Sequence, residues 1–245
     1  MQPETHDVRL YVDAPLATGA KVSCTSEQAN YLLNVLRLKV GDAICIFNGR
    51  DGEWRAVIEE AGKRRCILNC DALKREQTGG PDVHYLFAPL KHARLDYMVQ
   101  KATELGVARL QPVITRRTVA SRVNLDRIQA NVIEAAEQCG VLRIPKVGAP
   151  EKLERLLAQW PAQRNLVFCD EGAPVSDLLA ALAVVPPGPL AVLIGPEGGF
   201  DPEEQALIRS LPYSFPISLG PRIMRADTAA VAALALVNAT HGDWR

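Results

Sequence analysis

The sequence predicts an α/β protein with a smaller, strand-rich segment at its N-terminal end. From residue 83 onward, short apolar runs typical of buried strands alternate with helical periodicity, which favours a parallel sheet. Residues 8–75 consist mainly of short strands and turns, for which a small barrel is the natural closure. Residues 77–82 contain glycine and proline and break the pattern, so we expect a linker there.

Three local patterns define the predicted first domain, residues 1–76. Thr25 and Gln28 are spaced as a capping box, which begins a short helix that ends at Leu36. Residues 48–52 (Asn-Gly-Arg-Asp-Gly) lie between two apolar runs and predict a hairpin. The predicted strands are residues 8–12, 43–47, 53–59 and 65–71.

Alternating strands and helices fill the predicted second domain, residues 83–245. Gly106 ends one amphipathic helix, Asn124 can cap the next, and residues 229–239 form a nearly apolar, buried helix. Pro112 suggests that its strand lies at an edge or ends there. The predicted strands are residues 83–88, 107–114, 144–147, 166–169, 190–194 and 215–219.

Composition and simple sequence patterns argue against a zinc-binding protein, a secreted protein and a membrane-spanning protein. The chain has 245 residues, of which 48% are hydrophobic, enough for a sizeable core. Its six cysteines show no Cys-x-x-Cys pair and no histidines at zinc spacing, so we expect reduced thiols, no metal and a cytoplasmic protein. The polar N-terminus does not resemble a signal peptide, and no apolar run is long enough to span a membrane.

Charge is unevenly distributed although the formal net charge is zero. Residues 84–127 carry eight basic and three acidic side chains, whereas residues 128–245 carry nine basic and thirteen acidic ones. A local basic stripe is the electrostatic footprint that an RNA partner requires. A solvated helix face with its loop explains the same pattern, and charge alone favours that explanation.

Two glycine-bearing loops, each between a short apolar strand and a helix, form the most informative stretch. The first covers residues 195–200 and the second residues 220–228. Because ligands bind outside the carboxyl ends of strands in open α/β sheets, both loops point to one small-molecule site. Neither matches the Gly-x-Gly-x-x-Gly dinucleotide motif nor the Gly-Lys-Ser/Thr of a P-loop. A ligand held by backbone and apolar contacts, such as an adenosine with a cationic centre, suits them better. The alternative is that they are ordinary turns.

Four segments in order resemble the RsmE family of 16S rRNA uracil-N3 methyltransferases, in the SPOUT superfamily. Residues 195–199 are Gly-Pro-Glu-Gly-Gly, and residues 218–229 are Ser-Leu-Gly-Pro-Arg-Ile-Met-Arg-Ala-Asp-Thr-Ala. Residues 100–107 (Gln-Lys-Ala-Thr-Glu-Leu-Gly-Val) and 134–140 (Glu-Ala-Ala-Glu-Gln-Cys-Gly) agree as well. The resemblance covers nearly the whole chain, from Arg9 to Thr228.

The resemblance implies a SPOUT-type, trefoil-knotted methyltransferase domain with an N-terminal PUA-like β-barrel. It implies S-adenosyl-L-methionine as cofactor, 16S rRNA or the small ribosomal subunit as partner, and a homodimer whose interface completes the cofactor site. Methylation at uracil N3 needs positioned reactants, neutralised uracil oxygens and removal of a proton, and it needs no metal. The residues expected around the cofactor are Ile194, Gly195, Pro196, Glu197, Gly198, Gly199, Leu219, Gly220, Pro221, Ile223 and Met224.

The expected catalytic residues are Arg225, Arg222 and Asp227. A guanidinium in the second loop could hydrogen-bond a uracil carbonyl or a phosphate, but Arg222 could instead form a structural salt bridge with Glu197 or Asp227. Asp227 stands where the family has glutamate, so it could accept a proton with shorter reach or simply cap the alanine-rich helix. Leu219, Ile223 and Met224 could equally be core residues.

Basic residues in both predicted domains are the RNA-binding candidates. Asn30 and Val141 stand where the family has histidine and arginine, which weakens any contact made by those side chains. Two alternatives stay open: a SPOUT methyltransferase acting on another RNA position, such as a ribose 2′-hydroxyl, and a non-catalytic RNA-binding protein. The candidates for phosphate contacts are Arg9, Arg37, Lys39, Lys91, Arg94, Arg116, Arg117 and Arg122.

Overall fold

The structure, a computed structural model, describes residues 8–119, 122–174 and 177–244, with the backbone alone at His92. Residues 1–7, on which the expectation of no signal peptide rests, lie outside the described residues. Among the helices that are described, none combines the length and the apolar character that a membrane span requires. In the same parts of the chain, no cluster of three or more metal-ligating side chains is found.

The described chain divides into two compact units. Unit 1 contains the described residues through Gly79 together with Ala136–Ile144. Unit 2 contains Gly80–Ala135 and the described residues from Pro145 onward. The domain boundaries predicted from the sequence stay a prediction, since the stretch Ala136–Ile144 belongs by its contacts to the N-terminal unit.

Unit 1 is a five-stranded sheet with one short helix, in the strand order β1-β3-β4-β5-β2. The predicted hairpin is confirmed, because β3 pairs antiparallel with β4 and Phe47 lies opposite Glu53. The predicted capping box is confirmed between Thr25 and Gln28, and a π-helical turn over Tyr31–Val35 follows the helix. The elements are β1 (Arg9–Tyr11), β2 (Lys21–Ser23), α1 (Ser26–Asn30), β3 (Ala43–Phe47), β4 (Glu53–Ala61) and β5 (Cys66–Arg75).

A charged cluster attaches the last turn of helix α3 (Leu125–Cys139) to the sheet of unit 1. Glu53, whose side chain is 8% exposed, accepts hydrogen bonds from Arg9 Nε at 2.6 Å and Arg75 Nε at 2.8 Å. Burial opposes its ionisation, but the two arginines outweigh that effect and lower the pKa of Glu53. The other donors of the two arginines reach the carbonyl oxygens of Ala136, Glu137, Gly140 and Val141.

Unit 2 is a parallel sheet of seven strands with helices between them, as predicted. Its main strand order is β12-β10-β11-β6-β7-β8, and β9 also pairs with β7. The sequence missed β9, because two polar residues carry no apolar periodicity. The elements are β6 (Val83–Phe87), α2 (His92–Glu104), β7 (Arg109–Ile114), α3, β8 (Lys146–Val147), β9 (Glu151–Lys152), α4 (Leu153–Ala158), β10 (Asn165–Cys169), α5 (Leu178–Ala183), β11 (Leu190–Ile194), α6 (Pro202–Ser210), β12 (Ser214–Ile217) and α7 (Ala226–His241).

Pro112 does not mark an edge or a strand end, contrary to the sequence-based expectation. It lies inside β7, which pairs with β6 on one side and with β8 and β9 on the other. The two short strands leave a gap opposite Pro112, so its missing N–H breaks no ladder there. Gln111 fills this gap, donating from Nε2 to the carbonyl oxygens of Pro112 and Ala149 at 3.1 and 2.7 Å.

Local signals predicted the helix ends of unit 2 well. Gly106, at φ +73°, follows α2, and Asn124 accepts a hydrogen bond from Arg127 N at the start of α3. Helix α7 buries Ala229, Ala233 and other small residues, as its apolar composition indicates. The trefoil knot implied by the family resemblance stays a prediction.

We expect Glu53→Gln to destabilise unit 1 by about 2 kcal/mol, because it removes the charge that two arginines share. Since the folded-state pKa of Glu53 is lowered, its stabilising effect is complete above the ordinary value of 4.5 and is lost as pH falls through the lowered value. The difference between wild type and variant should therefore shrink in acid. Urea unfolding followed by Trp54 fluorescence, with Trp160 and Trp244 replaced by phenylalanine, measures it.

Glu59→Gln is the matched control, because Glu59 pairs with Lys21 at the exposed surface of the same unit. Such exposed pairs contribute little to stability, because water and salt screen the two charges. Equal losses for the two variants at neutral pH would contradict the structural role assigned to Glu53.

Candidate active site

Three adjacent strands of unit 2 end at one edge of the sheet, and the loops that follow them line a cavity. Strands β12, β10 and β11 are parallel neighbours, so the loops that follow them meet at their carboxyl ends. The loops after β11 and β12 are the two predicted glycine loops. The loop after β10 lies between them because β10 is the middle strand.

The cavity has a volume of about 480 Å³, within the range typical of small-molecule sites. Most of the residues predicted to surround a cofactor line it, although their roles stay predictions. Gly198 and Asp227 are not among the lining residues, although Asp227 pairs with Arg94, which does line the cavity. The predicted residues in the lining are Ile194, Gly195, Pro196, Glu197, Gly199, Leu219, Gly220, Pro221, Arg222, Ile223, Met224 and Arg225.

The first glycine loop is fixed from both ends. Phe200 is buried and packs edge to face against Phe168, with ring centroids 5.2 Å apart. A Cβ atom at Gly195 would lie 2.5 Å from the Phe200 ring, so only glycine fits there. Beyond the loop, Asp201 and Glu204 form a capping box at the start of α6.

The second glycine loop leads directly into α7. Gly220 has φ +105°, a conformation that other residues rarely adopt, and open space faces the side where a Cβ would stand. Arg225 occupies the N-cap position of α7, and Asp227 lies in the first turn. The expectation that Asp227 caps this helix is therefore wrong, although its carboxylate accepts from Thr228 N at 3.0 Å and suits the positive end of the helix dipole.

Arg94, on the first turn of α2, binds a carboxylate from each side of the cavity. It pairs with Glu197 in the first glycine loop and with Asp227 in α7, where two nitrogen–oxygen distances are 3.3 Å. The alternative in which Arg222 makes a salt bridge with Glu197 or Asp227 is wrong, because Arg94 supplies the partner to both. The charge pattern of the sequence indicates an RNA contact for Arg94 instead, because its two partners lie more than 100 residues away in the chain.

The carboxyl group of Asp227 is held in its charged form. Burial favours the neutral acid, but hydrogen bonds from Arg94 and the Thr228 N–H, together with the charge of Arg94, lower the pKa of Asp227. A carboxylate with a lowered pKa is a weak proton acceptor. Asp227 therefore contributes a fixed negative charge rather than a strong base.

Arg222 and Arg225 present free cationic groups at the cavity. Both side chains are exposed and line it. Among the described residues, neither guanidinium has an ion pair or a side-chain hydrogen bond. Ile223, between them, is 90% exposed, so the expected core role is wrong for this side chain in the isolated chain. These two arginines can accept an anionic or oxygen-bearing group without first breaking an internal bond.

The loop after β10 was missed by sequence analysis. Cys169, Asp170 and Glu171 line the cavity, and Asp170 is fixed by Arg209 Nε at 2.6 Å and by Gly172 N at 2.9 Å. Burial and the Asp170 charge raise the pKa of Cys169 to about 12, so this thiol is not an ionised nucleophile. Only the strand order, which the spacing of apolar runs does not reveal, could have identified this loop.

Two arginines assigned to RNA support the first glycine loop. Arg117 donates from Nη1 to the Gly198 carbonyl oxygen at 3.0 Å. Arg116 pairs with Asp201 at 3.0 Å and with Glu203, and its backbone N–H donates to Glu204. These contacts were not predicted, because the sequence shows how many basic residues a stretch contains but not which acidic residues they pair with.

The remaining RNA candidates differ in their freedom to bind. Arg9 has a side chain that is only 13% exposed, and its guanidinium is committed to contacts within unit 1 and not to RNA. Asn30 accepts a hydrogen bond from Asn34, and the Val141 carbonyl accepts one from Arg9. Four candidates are exposed: Arg37 and Lys39 in unit 1, and Lys91 and Arg122 in unit 2.

Comparison with known proteins agrees with both units. A family model described as an RNA methyltransferase domain matches residues 78–238, and one described as an RNA methyltransferase PUA domain matches residues 25–69. The ribosomal RNA small subunit methyltransferase E of Rickettsia conorii is 33% identical over 94% of each chain. Its counterpart from Synechocystis is 32% identical, covering 94% of this chain and 77% of its own.

Solved structures give the same result. The ribosomal RNA small subunit methyltransferase E of Neisseria gonorrhoeae, crystallised with S-adenosyl methionine, aligns with a TM-score of 0.87 at 27% identity. The alignment covers 98% of this chain and all of that one. A Legionella pneumophila protein solved with bound SAM aligns at 29% identity and a TM-score of 0.86, with the same coverage.

The parallel sheet, its cavity and the domain match define an RNA methyltransferase. Within that class, the chain belongs to the ribosomal RNA small subunit methyltransferase E family. The resemblance drawn from the four sequence segments is thereby confirmed, as is the α/β fold with an N-terminal PUA-like domain.

We expect Gly195→Ala to cost about 1–3 kcal/mol of folding stability, because the added methyl group would overpack the Phe200 ring. Gly198→Ala is the control in the same loop, since its new methyl group would meet only Arg117 at 3.9 Å and the backbone is not left-handed. It should change stability by less than about 0.5 kcal/mol. Urea unfolding compares the two variants, and a tolerated Gly195→Ala would contradict this account of the loop.

Proposed function

We propose that this chain transfers a methyl group from S-adenosyl-L-methionine to N3 of a specific uridine in 16S rRNA of the small ribosomal subunit. Family membership supports the reaction class and the RNA substrate. The observation that carries the proposal within this structure is the cavity at the strand ends, where two free arginines face a pocket built by glycine loops.

The residues around the cavity fit this cofactor. The volume suits a small ligand, and Ile194, Leu219 and Met224 supply apolar surface for an adenine ring. Glu171, which also lines the cavity, is a carboxylate suited to ribose hydroxyls or to a positive charge. Gly220 leaves open space for close approach of a ligand to the backbone. The bound cofactor would supply a methyl group on a positively charged sulfur.

The chain itself positions the base and stabilises its charge. Arg225 and Arg222 can donate planar hydrogen bonds to the uracil oxygens, which become more negative as N3 loses its proton. Asp227 stays ionised beside Arg94, and its lowered pKa makes it a weak proton acceptor, so the N3 proton is lost to water. Because the charged groups are fixed before the base arrives, little reorganisation is needed in the reaction.

The target uridine must leave any paired or stacked position before N3 can be reached. We propose that the exposed basic residues Arg37, Lys39, Lys91 and Arg122 bind RNA phosphates and orient the substrate. The alternatives, methylation of a ribose 2′-hydroxyl and RNA binding without catalysis, differ in the product they leave. Neither explains a pocket that leaves two guanidinium groups free for a planar, oxygen-bearing base.

The decisive experiment is a nucleoside analysis by mass spectrometry. Small-subunit rRNA from cells that lack this gene is incubated, free or as subunits, with the protein and labelled S-adenosyl-L-methionine. We expect 3-methyluridine with wild type and a loss of at least about 100-fold with Arg225→Ala, because a charged hydrogen bond to the developing anion disappears. Arg155→Ala, which changes an exposed arginine of α4 outside the cavity, should retain activity.

Each of the other experimental outcomes would support a different function. Methylation at a ribose would retain the methyltransferase and reject the N3 assignment. Cofactor binding without transfer to either form of RNA would reject this substrate. Absence of cofactor binding would leave RNA binding as the function.

We further propose that the chain acts as a homodimer in the cytoplasm, where ribosomal RNA is assembled into subunits. Ile223 supports the dimer, because a large apolar side chain so exposed beside a ligand cavity is suited to cover by another chain. Light scattering should give a molar mass twice the 26.7 kDa of one chain. A monomer at micromolar concentration would contradict this proposal.

A further inference from the structure

Arg94 is the one described side chain that pairs with acidic groups from both glycine-loop regions. Glu197 belongs to the loop after β11, and Asp227 follows the loop after β12. The guanidinium is planar and carries five N–H donors, so one side chain can serve two carboxylates at once. It extends from α2, which belongs to neither loop, and its side chain is 33% exposed.

These pairs determine which charges remain free at the cavity. Glu197, Arg222 and Arg225 line it, and Asp227 is only two residues from Arg225. Opposite charges a few ångströms apart attract strongly where water is partly excluded. Without Arg94, the carboxylates of Glu197 and Asp227 would be available to the loop arginines, and those arginines would no longer be free.

We propose that Arg94 is a positioning residue that joins the two glycine loops and occupies their carboxylates, leaving Arg222 and Arg225 free for the substrate. The second half of this proposal rests on the proposed function, whereas the joining of the loops does not. An RNA-phosphate contact, the role that the sequence suggested for Arg94, would require the same nitrogens that already bind Glu197 and Asp227.

Hydrogen exchange measured by mass spectrometry tests the joining of the loops without any ligand. In Arg94→Gln, peptides covering residues 195–200 and 219–225 should both exchange faster than in wild type, because both loops lose a tether. Peptides from the core strands β6 and β10 should not change. Arg127→Gln is the matched control, because Arg127 of α3 pairs at 2.9 Å with Asp96 of α2, the helix that carries Arg94. Arg127 does not line the cavity.

Arg94→Lys tests whether the planar guanidinium is needed or whether a positive charge is enough. A lysine is a point charge that cannot bind two carboxylates in the same planar manner, so it should restore the slow exchange only in part. Unchanged exchange in both loops of Arg94→Gln would overturn the proposal, as would equal effects of Arg94→Gln and Arg127→Gln. Should Arg94→Gln fail to fold, Arg94→Lys and Glu197→Gln provide the same comparison.

Binding and kinetics test the consequence for the reaction. We expect Arg94→Gln to weaken binding of S-adenosyl-L-methionine by about tenfold in calorimetry, because the ligand must order both loops. The value of kcat should fall, while KM for the RNA changes less than twofold or so. A raised KM for the RNA with unchanged cofactor affinity would instead identify Arg94 as a phosphate contact and overturn the proposal.

Glu197→Gln provides a further check through a double-mutant cycle. If Arg94 acts through Glu197, the double variant should bind the cofactor no more weakly than Arg94→Gln alone. Fully additive losses would contradict the coupling. If wild type itself neither binds the cofactor nor methylates RNA, the proposed function fails, and hydrogen exchange still decides whether Arg94 joins the loops.

Discussion

Parallel pairing of β12, β10 and β11 is the constraint on which the candidate site depends. Parallel neighbours end at the same edge, so three loops distant in sequence converge there. The same pairing fixes the loop of β10, with Asp170, between the two glycine loops. Each loop is then braced separately: Phe200 blocks any side chain at Gly195, Arg209 holds Asp170, and the loop at Gly220 runs directly into α7. The cavity follows from the sheet and not from any single motif.

Which arginines are available at the site depends on their ion pairs and not on how many basic residues the chain has there. Three arginines of the basic stripe were expected to contact RNA, but in the structure they bind the protein itself. Arg94, Arg116 and Arg117 contact the loops around the cavity and the helix ends beside them. At the cavity itself, the free guanidinium groups belong to Arg222 and Arg225, which come from a region of net negative charge. The positive charge of the stripe and the free guanidinium groups at the cavity therefore belong to different arginines, which variants can separate.

Local signals predicted local structure well. The capping box at Thr25 and the turn at residues 48–52 act within a few residues, and the structure contains both. Prediction failed wherever the partner was distant in sequence. The pairing of Arg94 with Asp227 spans 133 residues, and that of Arg9 with the end of α3 spans a similar length. The apolar runs around the glycines identified the two loops, and the family resemblance agreed, but neither could show which charges in the loops are neutralised.

The attachment of α3 to the first unit has a consequence for dividing the chain. Residues 136–144 follow the first strands of unit 2 in sequence, yet their carbonyl groups are bound by Arg9 and Arg75. A protein truncated before residue 80 would lose both arginines and leave the end of α3 without these donors. An N-terminal unit ending at residue 79 would lack the carbonyl groups that Arg9 and Arg75 bind. A domain swap between relatives must therefore transfer residues 136–144 together with the N-terminal sheet.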